Sequence, residues 1–436
     1  MSPVAIGFIG IAAFFVLLSL KKPVAFAMAL VGFLGFCSLT SFSSGLYMVA
    51  TEMYSNFTSY SLSVIPMFVW MGYLALHSGI GSDLYTFAYK MIGHWPGGLA
   101  VATQLACGLF GAVCGSNTAT AATMGAIALP EMRKYKYGDS LSTASIAAGG
   151  VLGMLVPPSV IFIVYGTATE QSIGQLFMAG IIPGIMLMLL FIVAILYVTS
   201  KNPALGPKGP RASWKERFNA LGKGLGETLA IFAFSIGGLT LGWFTPTEAG
   251  AVGVGGVLAV SVLRKRMDWN KLVSSLKDTT KTSAMIMLII AGAMMFGRFM
   301  AVSRLPFELA SWASSLPLPR SAVMWVIILI YLILGIPIDG LAMILLTIPI
   351  FYPVVVDTLG YDPLWFGVII VMVVALAEAT PPVGMNFFVI KGVALDIPLE
   401  TIFKGIWPFL NCILILIAII MAFPQVATFL PNLMVR

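Results

Sequence analysis

Charge is what this sequence has least of. Of its 436 residues 9% are Asp, Glu, Lys or Arg and 59% are hydrophobic, whereas an ordinary soluble domain carries about 25% charged residues. No aqueous fold hides that much apolar surface, which excludes a soluble globular chain. Cysteine is sparse too: Cys37, Cys107, Cys114 and Cys412 lie scattered in apolar segments with neither paired nor metal-ligand spacing, so free core thiols are predicted. The two histidines, His77 and His94, also lack paired spacing, and His94-Trp95-Pro96 reads as an interfacial anchor. There is no G-x-x-x-x-G-K-[ST] run, no H-E-x-x-H and no G-x-S-x-G. An ATP motor or an intramembrane hydrolase therefore has no motif to rest on, and no enzyme is predicted.

What is abundant is long apolar sequence. Runs of about 18 to 25 residues suffice to cross a hydrocarbon core of roughly 30 Å at 1.5 Å per helical residue. They show no ten-residue alternation, which disfavours a barrel and leaves helices. The predicted spans are 3–20, 23–43, 58–80, 141–170, 175–199, 225–244, 246–263, 282–303, 365–390 and 405–429. The first has no basic start or small-residue cleavage site, and Lys21-Lys22 follow it, so it reads as a retained span rather than a signal peptide. The formal charge of +7 resides in clusters between spans, at Lys21-Lys22, Arg133-Lys134-Lys136, 201–223 and 264–281. Such clusters mark cytoplasmic loops, which puts the N-terminus in the periplasm and the connection at 44–57 on the far side.

Two apolar stretches do not fit as spans. Residues 97–132 begin and end near cytoplasmic basic residues, which predicts a re-entrant hairpin with its tip near Gly115-Ser116-Asn117-Thr118. Residues 321–353 pose the same problem from outside, with a polar interruption at Pro337-Ile338-Asp339-Gly340. The halves also match each other. At an offset of 223 residues Pro23 falls on Pro246, Pro130 on Pro353 and Asp139 on Asp362, while Val156-Pro157-Pro158 lands within one residue of Thr380-Pro381-Pro382. The expected organisation is a first repeat at 1–200, a basic cytoplasmic linker at 201–224 and a second, inverted repeat at 225–436. A duplicated unit placed upside down supplies two nearly equivalent states, one facing each side, which is what alternating access requires.

Each half also carries a helix broken by a double proline, at Val156-Pro157-Pro158 and Thr380-Pro381-Pro382. Proline lacks an amide donor and frees carbonyls one turn back, and unwound carbonyls at membrane depth are good ligands for a hard cation. With Ser116, Asn117 and Thr118 at one tip and Asp339 at the other, two cation sites are predicted, one per half. A single kink could be a packing feature, and tip hydroxyls could be interhelical hydrogen-bonding groups. Asp339 and Glu378 are carboxylates in apolar stretches and so functional candidates, whereas Glu248 follows a proline at a span start, where it caps the helix. Arg298 is the Arg well inside a predicted span and the natural partner for a substrate carboxylate, against the alternative that it snorkels to the interface.

Gly115-Ser116-Asn117-Thr118-Ala119-Thr120, Val156-Pro157-Pro158-Ser159, Phe244-Thr245-Pro246-Thr247-Glu248-Ala249, Gly335-Ile336-Pro337-Ile338-Asp339-Gly340 and Thr380-Pro381-Pro382-Val383-Gly384-Met385-Asn386 together resemble the large, DctM-like membrane subunit of tripartite ATP-independent periplasmic (TRAP) transporters. The resemblance runs from about Pro23 to Pro408. It implies an all-α polytopic inner-membrane protein with an elevator-type transport domain, Na⁺ as coupling ion and no organic cofactor. It also implies a small four-helix membrane subunit and a periplasmic substrate-binding protein as partners. The chain opens almost at once on its own first span, so the small subunit is expected as a separate polypeptide. On the family pattern one Na⁺ would sit among Ser116, Asn117, Gly153, Val156 and Pro158, and a second among Gly335, Asp339, Thr380 and Met385. Substrate would lie between the tips, with Arg298, Ser116, Thr118 and Asn386 as its candidate contacts. Family substrates are C4-dicarboxylates, sialic acid and other organic acids, and the single Arg298 favours sialic acid. The rival readings are a stand-alone ion-coupled carboxylate carrier or antiporter and, in another class, a membrane scaffold or assembly protein.

Overall fold

The computed structural model describes residues 1–315, 317–336, 338–381 and 384–434, and among these every regular element is helical. Pro337 of the second tip and Pro382 and Val383 of the second break lie outside the described residues. The first half runs α1 (Pro3–Ser19), α2 (Val24–Leu39), α3 (Phe42–Thr58), α4 (Val64–Ser78), α5 (Ile80–Ile92), α6 (Gly98–Cys114), α7 (Asn117–Lys134), α8 (Asp139–Leu155), α9 (Val160–Thr169) and α10 (Ile173–Lys201). After α11 (Trp214–Ala220) come α12 (Gly226–Thr240), α13 (Pro246–Leu263), α14 (Trp269–Ser303), α15 (Leu305–Ser315), α16 (Arg320–Leu334), α17 (Gly340–Tyr352), α18 (Pro363–Glu378), α19 (Met385–Val393), α20 (Leu399–Ala422) and α21 (Gln425–Met434). Among the described residues seven helical stretches are long and apolar enough to cross a membrane, α10, α13, α14 and α20 among them.

The expected hairpins are α6–α7, turning at Gly115, and α16–α17, turning between Gly335 and Asp339. The broken helices are α8–α9 and α18–α19. Capping side chains fix these starts: Ser159 for α9, Asp362 for α18, and a full capping box of Thr245 and Glu248 for α13, in which Glu248 Oε2 accepts from Thr245 N at 2.8 Å. Glu248 is thereby placed as a cap.

Several boundaries differ from the sequence reading. The connection at 44–57 is the helix α3, and the span at 58–80 begins only at Val64, after a 3₁₀ turn at Tyr60–Ser63. The span at 282–303 is the latter part of the 35-residue α14. The last span ends at Ala422, before the separate α21. Helices α3, α5, α15 and α21 escaped because a search for continuous apolar runs does not register a helix with one polar face; α5, for example, interleaves Ser82, Asp83, Thr86 and Lys90 with buried Leu84, Tyr85, Phe87 and Ala88.

Two close approaches organise the bundle. Helices α2 and α14 meet backbone to backbone: a Cβ at Gly32 would lie 2.6 Å from the Phe296 amide nitrogen, and one at Gly292 would strike the Ala25 carbonyl. The linker is strapped across the base of the first hairpin, where Gly97 N donates to Gly206 O at 2.8 Å, Gly209 N to Gly93 O at 3.0 Å, and Lys90 Nζ to Glu216 Oε1 at 2.8 Å. The hydrogen bond from Lys90, with further donors from Ser213, holds the Glu216 carboxyl down at about 2.

Candidate functional site between the hairpin tips

The first tip is pinned to the first break. Gly115 turns with φ +63°, and a Cβ there would lie 2.5 Å from the Pro158 carbonyl oxygen. Val160 N donates to Gly115 O at 3.3 Å, joining the start of α9 to the tip. Ser116 caps α7 through Ala119 N at 3.4 Å, and its carbonyl oxygen would lie 2.6 Å from a Cβ at Gly153. In a helix continued past Leu155 the carbonyls of Gly153 and Met154 would accept from residues 157 and 158, where proline supplies no amide. Ser116, Gly153 and Pro158 are thus brought together around the first tip, while Val156 ends α8 in an extended conformation with its side chain against Gly184.

The second tip is built from a carboxylate cap. Asp339 Oδ1 accepts from Leu341 N at 3.0 Å at the start of α17. Gly335 packs on Ala377, one residue ahead of Glu378. Across the break, Thr380 Oγ1 donates to Leu376 O at 2.6 Å and Gly384 N donates to Thr380 O at 3.2 Å.

Glu378, the last residue of α18, joins the two assemblies. Its Oε2 accepts from Asn117 Nδ2 at the first tip, and its Oε1 rests against Gly340 at the second, in the space a Cβ would fill. Asn117 is 5% exposed and its Oδ1 has no hydrogen-bond partner. A cavity of about 490 Å³ opens here, lined by Ser116, Asn117, Thr118, Asp339, Glu378 and Met385, with Tyr73 of α4 and Thr282 and Ile286 near the middle of α14 opposite. Among the described residues no three His, Cys, Asp or Glu side chains converge. The donor set is instead carbonyl, amide and hydroxyl oxygen with isolated carboxylates, which suits a hard cation rather than a transition metal.

Two predicted substrate contacts lie elsewhere. Arg298 Nε pairs with Glu52 Oε1 of α3 at 2.6 Å, and Glu52 is nearly enclosed, its side chain 4% exposed. Arg298 lines a separate cavity of about 1160 Å³ with Arg304, Glu170 and Asp357. It stands twelve residues beyond Ile286 on α14, about 18 Å along the axis. Asn386 is fully buried behind the cavity, its Nδ2 donating to Ala147 O of α8 at 2.9 Å. Conversely, the sequence marked Glu378 as an ionisable candidate without giving it a site. Its position immediately before a proline break was the available signal.

Comparison with known proteins sets this geometry in context. The family model described as "Tripartite ATP-independent periplasmic transporter, DctM component" matches residues 11–426. The C4-dicarboxylate TRAP transporter large permease protein DctM of Pseudomonas aeruginosa is 36% identical over 386 residues, which cover 88% of this chain and 89% of that one. The sialic acid TRAP transporter large permease protein SiaM of Vibrio cholerae is 33% identical over 418 residues, 96% of each chain. An isethionate TRAP transporter permease protein, DctMQ of Oleidesulfovibrio alaskensis, is 31% identical over 391 residues, 88% of this chain and 59% of that longer one. Among solved structures, the YdaH transporter of Alcanivorax borkumensis superposes with a TM-score of 0.61 at 13% identity, over 89% of this chain and 90% of that one, a likeness of fold alone.

Proposed function

The chain belongs to the tripartite ATP-independent periplasmic transporter family as its DctM component, a multi-pass membrane permease, and from that premise we propose that it drives Na⁺-coupled import of an organic acid across the bacterial inner membrane. The observation that carries the proposal is the meeting of both hairpin tips and both helix breaks around one cavity, with Glu378 bridging them. Na⁺ at the first tip would draw on the carbonyls of Ser116, Gly153, Val156 and Pro158 and on Asn117 Oδ1. At the second it would draw on Asp339, Gly335, Thr380 and Met385. Ser116 and Thr118 face the intervening cavity, where substrate would lie.

Helices of corresponding order follow one another in the two halves, α6 to α10 and α16 to α20, which supports an inverted repeat and an elevator motion of the hairpins and broken helices against the α2–α14 seam. Ion pairs at Asp83 with Arg264 and Arg266, and at Arg133 with Asp396, cluster at the helix ends the basic loops assign to the cytoplasm, consistent with a periplasmic N-terminus. Members of the family work with a small membrane subunit and a periplasmic binding protein; in this reading both are separate polypeptides.

The test is uptake of labelled organic acids into proteoliposomes holding this chain and its small subunit under an imposed Na⁺ gradient, with and without the binding protein. Uptake that needs both Na⁺ and the binding protein is expected. Uptake without the binding protein would replace this reading with a stand-alone carrier, and uptake driven by protons alone would remove Na⁺ coupling.

A further inference from the structure

The linker strapped across the first hairpin carries positive charge that the rest of the fold does not match. Among the described residues Lys208, Arg211, Lys215 and Arg217 have no ion-pair partner. The one acidic residue between 201 and 223, Glu216, is taken by Lys90. A second element adds to the cluster. The hydrogen bond from Gly209 N to Gly93 O brings the linker beside His94, whose imidazole is held below its ordinary value by burial and then by the charges of Arg217 and Arg211. His94 Nδ1 and Arg217 Nε are both buried without a hydrogen-bond partner. Buried polar atoms are rarely left so, and each of these can donate to an anionic oxygen.

The face beside this cluster is aromatic. Trp214 and Phe218, 70% and 68% exposed, stand one turn apart with ring centroids separated by 6.4 Å, and exposed Leu221 continues the stripe. The Arg217 guanidinium lies 5.0 Å from the Trp214 ring centre. Helix runs without a break from Trp214 through a π-helical turn at Leu221–Leu225 to Thr240, about 40 Å at 1.5 Å per residue. A hydrocarbon core is about 30 Å thick, so when α12 crosses it the first turns of α11 reach the headgroup layer. Exposed aromatic rings among Lys and Arg are the composition of a membrane–water interface, and basic clusters there attract anionic lipid.

We propose that this corner of the protein binds the phosphodiester headgroup of an anionic phospholipid, with Arg211, Arg217 and His94 on the phosphate and the Trp214–Phe218 stripe along the glycerol and upper acyl chains. Charge complementarity selects this occupant: an apolar face of a protein partner would cover the rings but leave four cations unmatched. The site uses neither Na⁺ nor substrate, so it goes beyond the transport reading and stands or falls apart from it.

The experiment titrates the full chain, co-purified in detergent with its small subunit, with phosphatidylglycerol, phosphatidylcholine and glycerol 3-phosphate, and reads the first bound molecule by native mass spectrometry. Phosphatidylglycerol is expected to bind about tenfold more tightly than phosphatidylcholine, as several basic side chains at one place allow. Arg211→Gln with Arg217→Gln is expected to remove that preference. Lys277→Gln with Lys281→Gln, an equal loss of charge at exposed positions of α14, should leave it within about twofold. Equal binding of the two lipids by the unaltered chain, a preference that survives in the arginine variant, or an equal loss in the lysine variant would each overturn the proposal. Displacement of the lipid by glycerol 3-phosphate at matching concentration would overturn it in favour of a soluble phosphate. Binding seen only when the small subunit is stripped away would overturn it in favour of a protein contact. Should the double arginine variant fail to fold, Arg211→Gln alone decides, since Arg211 is exposed in an irregular segment.

Discussion

The α2–α14 seam and the tip cavity are both places where distant parts of the chain meet, and they are built on opposite rules. At the seam, glycines let one helix backbone lie on another, Gly32 on Met295 and Phe296, and Gly292 on Ala25. At the cavity, buried Asn117 keeps an acceptor without a partner, prolines supply no amides to the carbonyls one turn back, and two carboxylates have no ion-pair partner among the described residues. The seam gains from packing alone, which in a bilayer is a main source of helix association. The cavity forgoes that gain. Unmet polar groups at membrane depth are costly, and their concentration at one place is what the proposed ligand site rests on.

The largest effect should come from breaking the seam. Gly292→Leu forces α14 off α2, and overpacking of this kind costs about 3 kcal/mol or more when backbone must move. Little folded protein is expected in fluorescence-detected size exclusion, and Na⁺ should not rescue it. Asn117→Ala should do the reverse. Removing the Oδ1 acceptor, and with it the Nδ2 donor to Glu378, is expected to lower Na⁺-dependent uptake by about a hundredfold, as the loss of a preorganised polar ligand can, with the melting temperature falling far less than in the seam variant. Asp339→Asn keeps a good N-cap for α17 but loses the charge, so the Na⁺ concentration for half-maximal uptake should rise roughly tenfold, equivalent to about 1.4 kcal/mol. A seam variant that folds normally, or a cavity variant that melts early, would blur the distinction.

The sequence made the cavity more legible than the seam. Double prolines, polar hairpin tips and a lone Asp339 are local anomalies in an apolar chain, and each can be read from a few neighbouring residues. The meeting of Gly32 with Phe296 depends on residues far apart in sequence, and nothing at either position announces it. Arg298 shows the other limit. As an intramembrane guanidinium it pointed to substrate, but its partner Glu52 lies on α3, a stretch whose Ser43, Ser44, Ser55 and Asn56 made it read as a connection. Without that helix the matched charge was invisible. Glu378 was visible as a carboxylate, but its bridging position needs Asn117 and Gly340, from hairpins in both halves.

Arg298 therefore supplies a prediction between the two regions. Arg298→Ala leaves the enclosed Glu52 carboxylate without its partner, and breaking such a pair from one side costs about 3 kcal/mol when the remaining charge is buried. Arg298 itself is well exposed, its side chain at 63%, so solvent screening should bring the loss nearer 1 kcal/mol. A lowered melting temperature with unchanged Na⁺ affinity is expected, and Glu52→Gln in the same chain should restore most of the stability. A rise in the Na⁺ requirement would instead connect Arg298 to the tips.

The smallest effect belongs to the linker strap, where Lys90 and the Ser213 cap hold Glu216. The folded carboxyl sits at about 2, below the ordinary value near 4.3. Its stabilising contribution is therefore fully present above the ordinary range, declines as pH falls below it, and is gone once pH drops through the folded value. Hydrogen exchange at Gly206 and Gly209, corrected for intrinsic rate, should be flat between pH 6 and 8 and modestly faster in Lys90→Ala. Because the pair is exposed to solvent, added salt should mimic part of that substitution. No comparable salt effect is expected at the tip cavity, where the Asn117–Glu378 contact is shielded from bulk solvent. A salt response of equal size at both places would mean that the cavity is wetter than the enclosure of Asn117 requires.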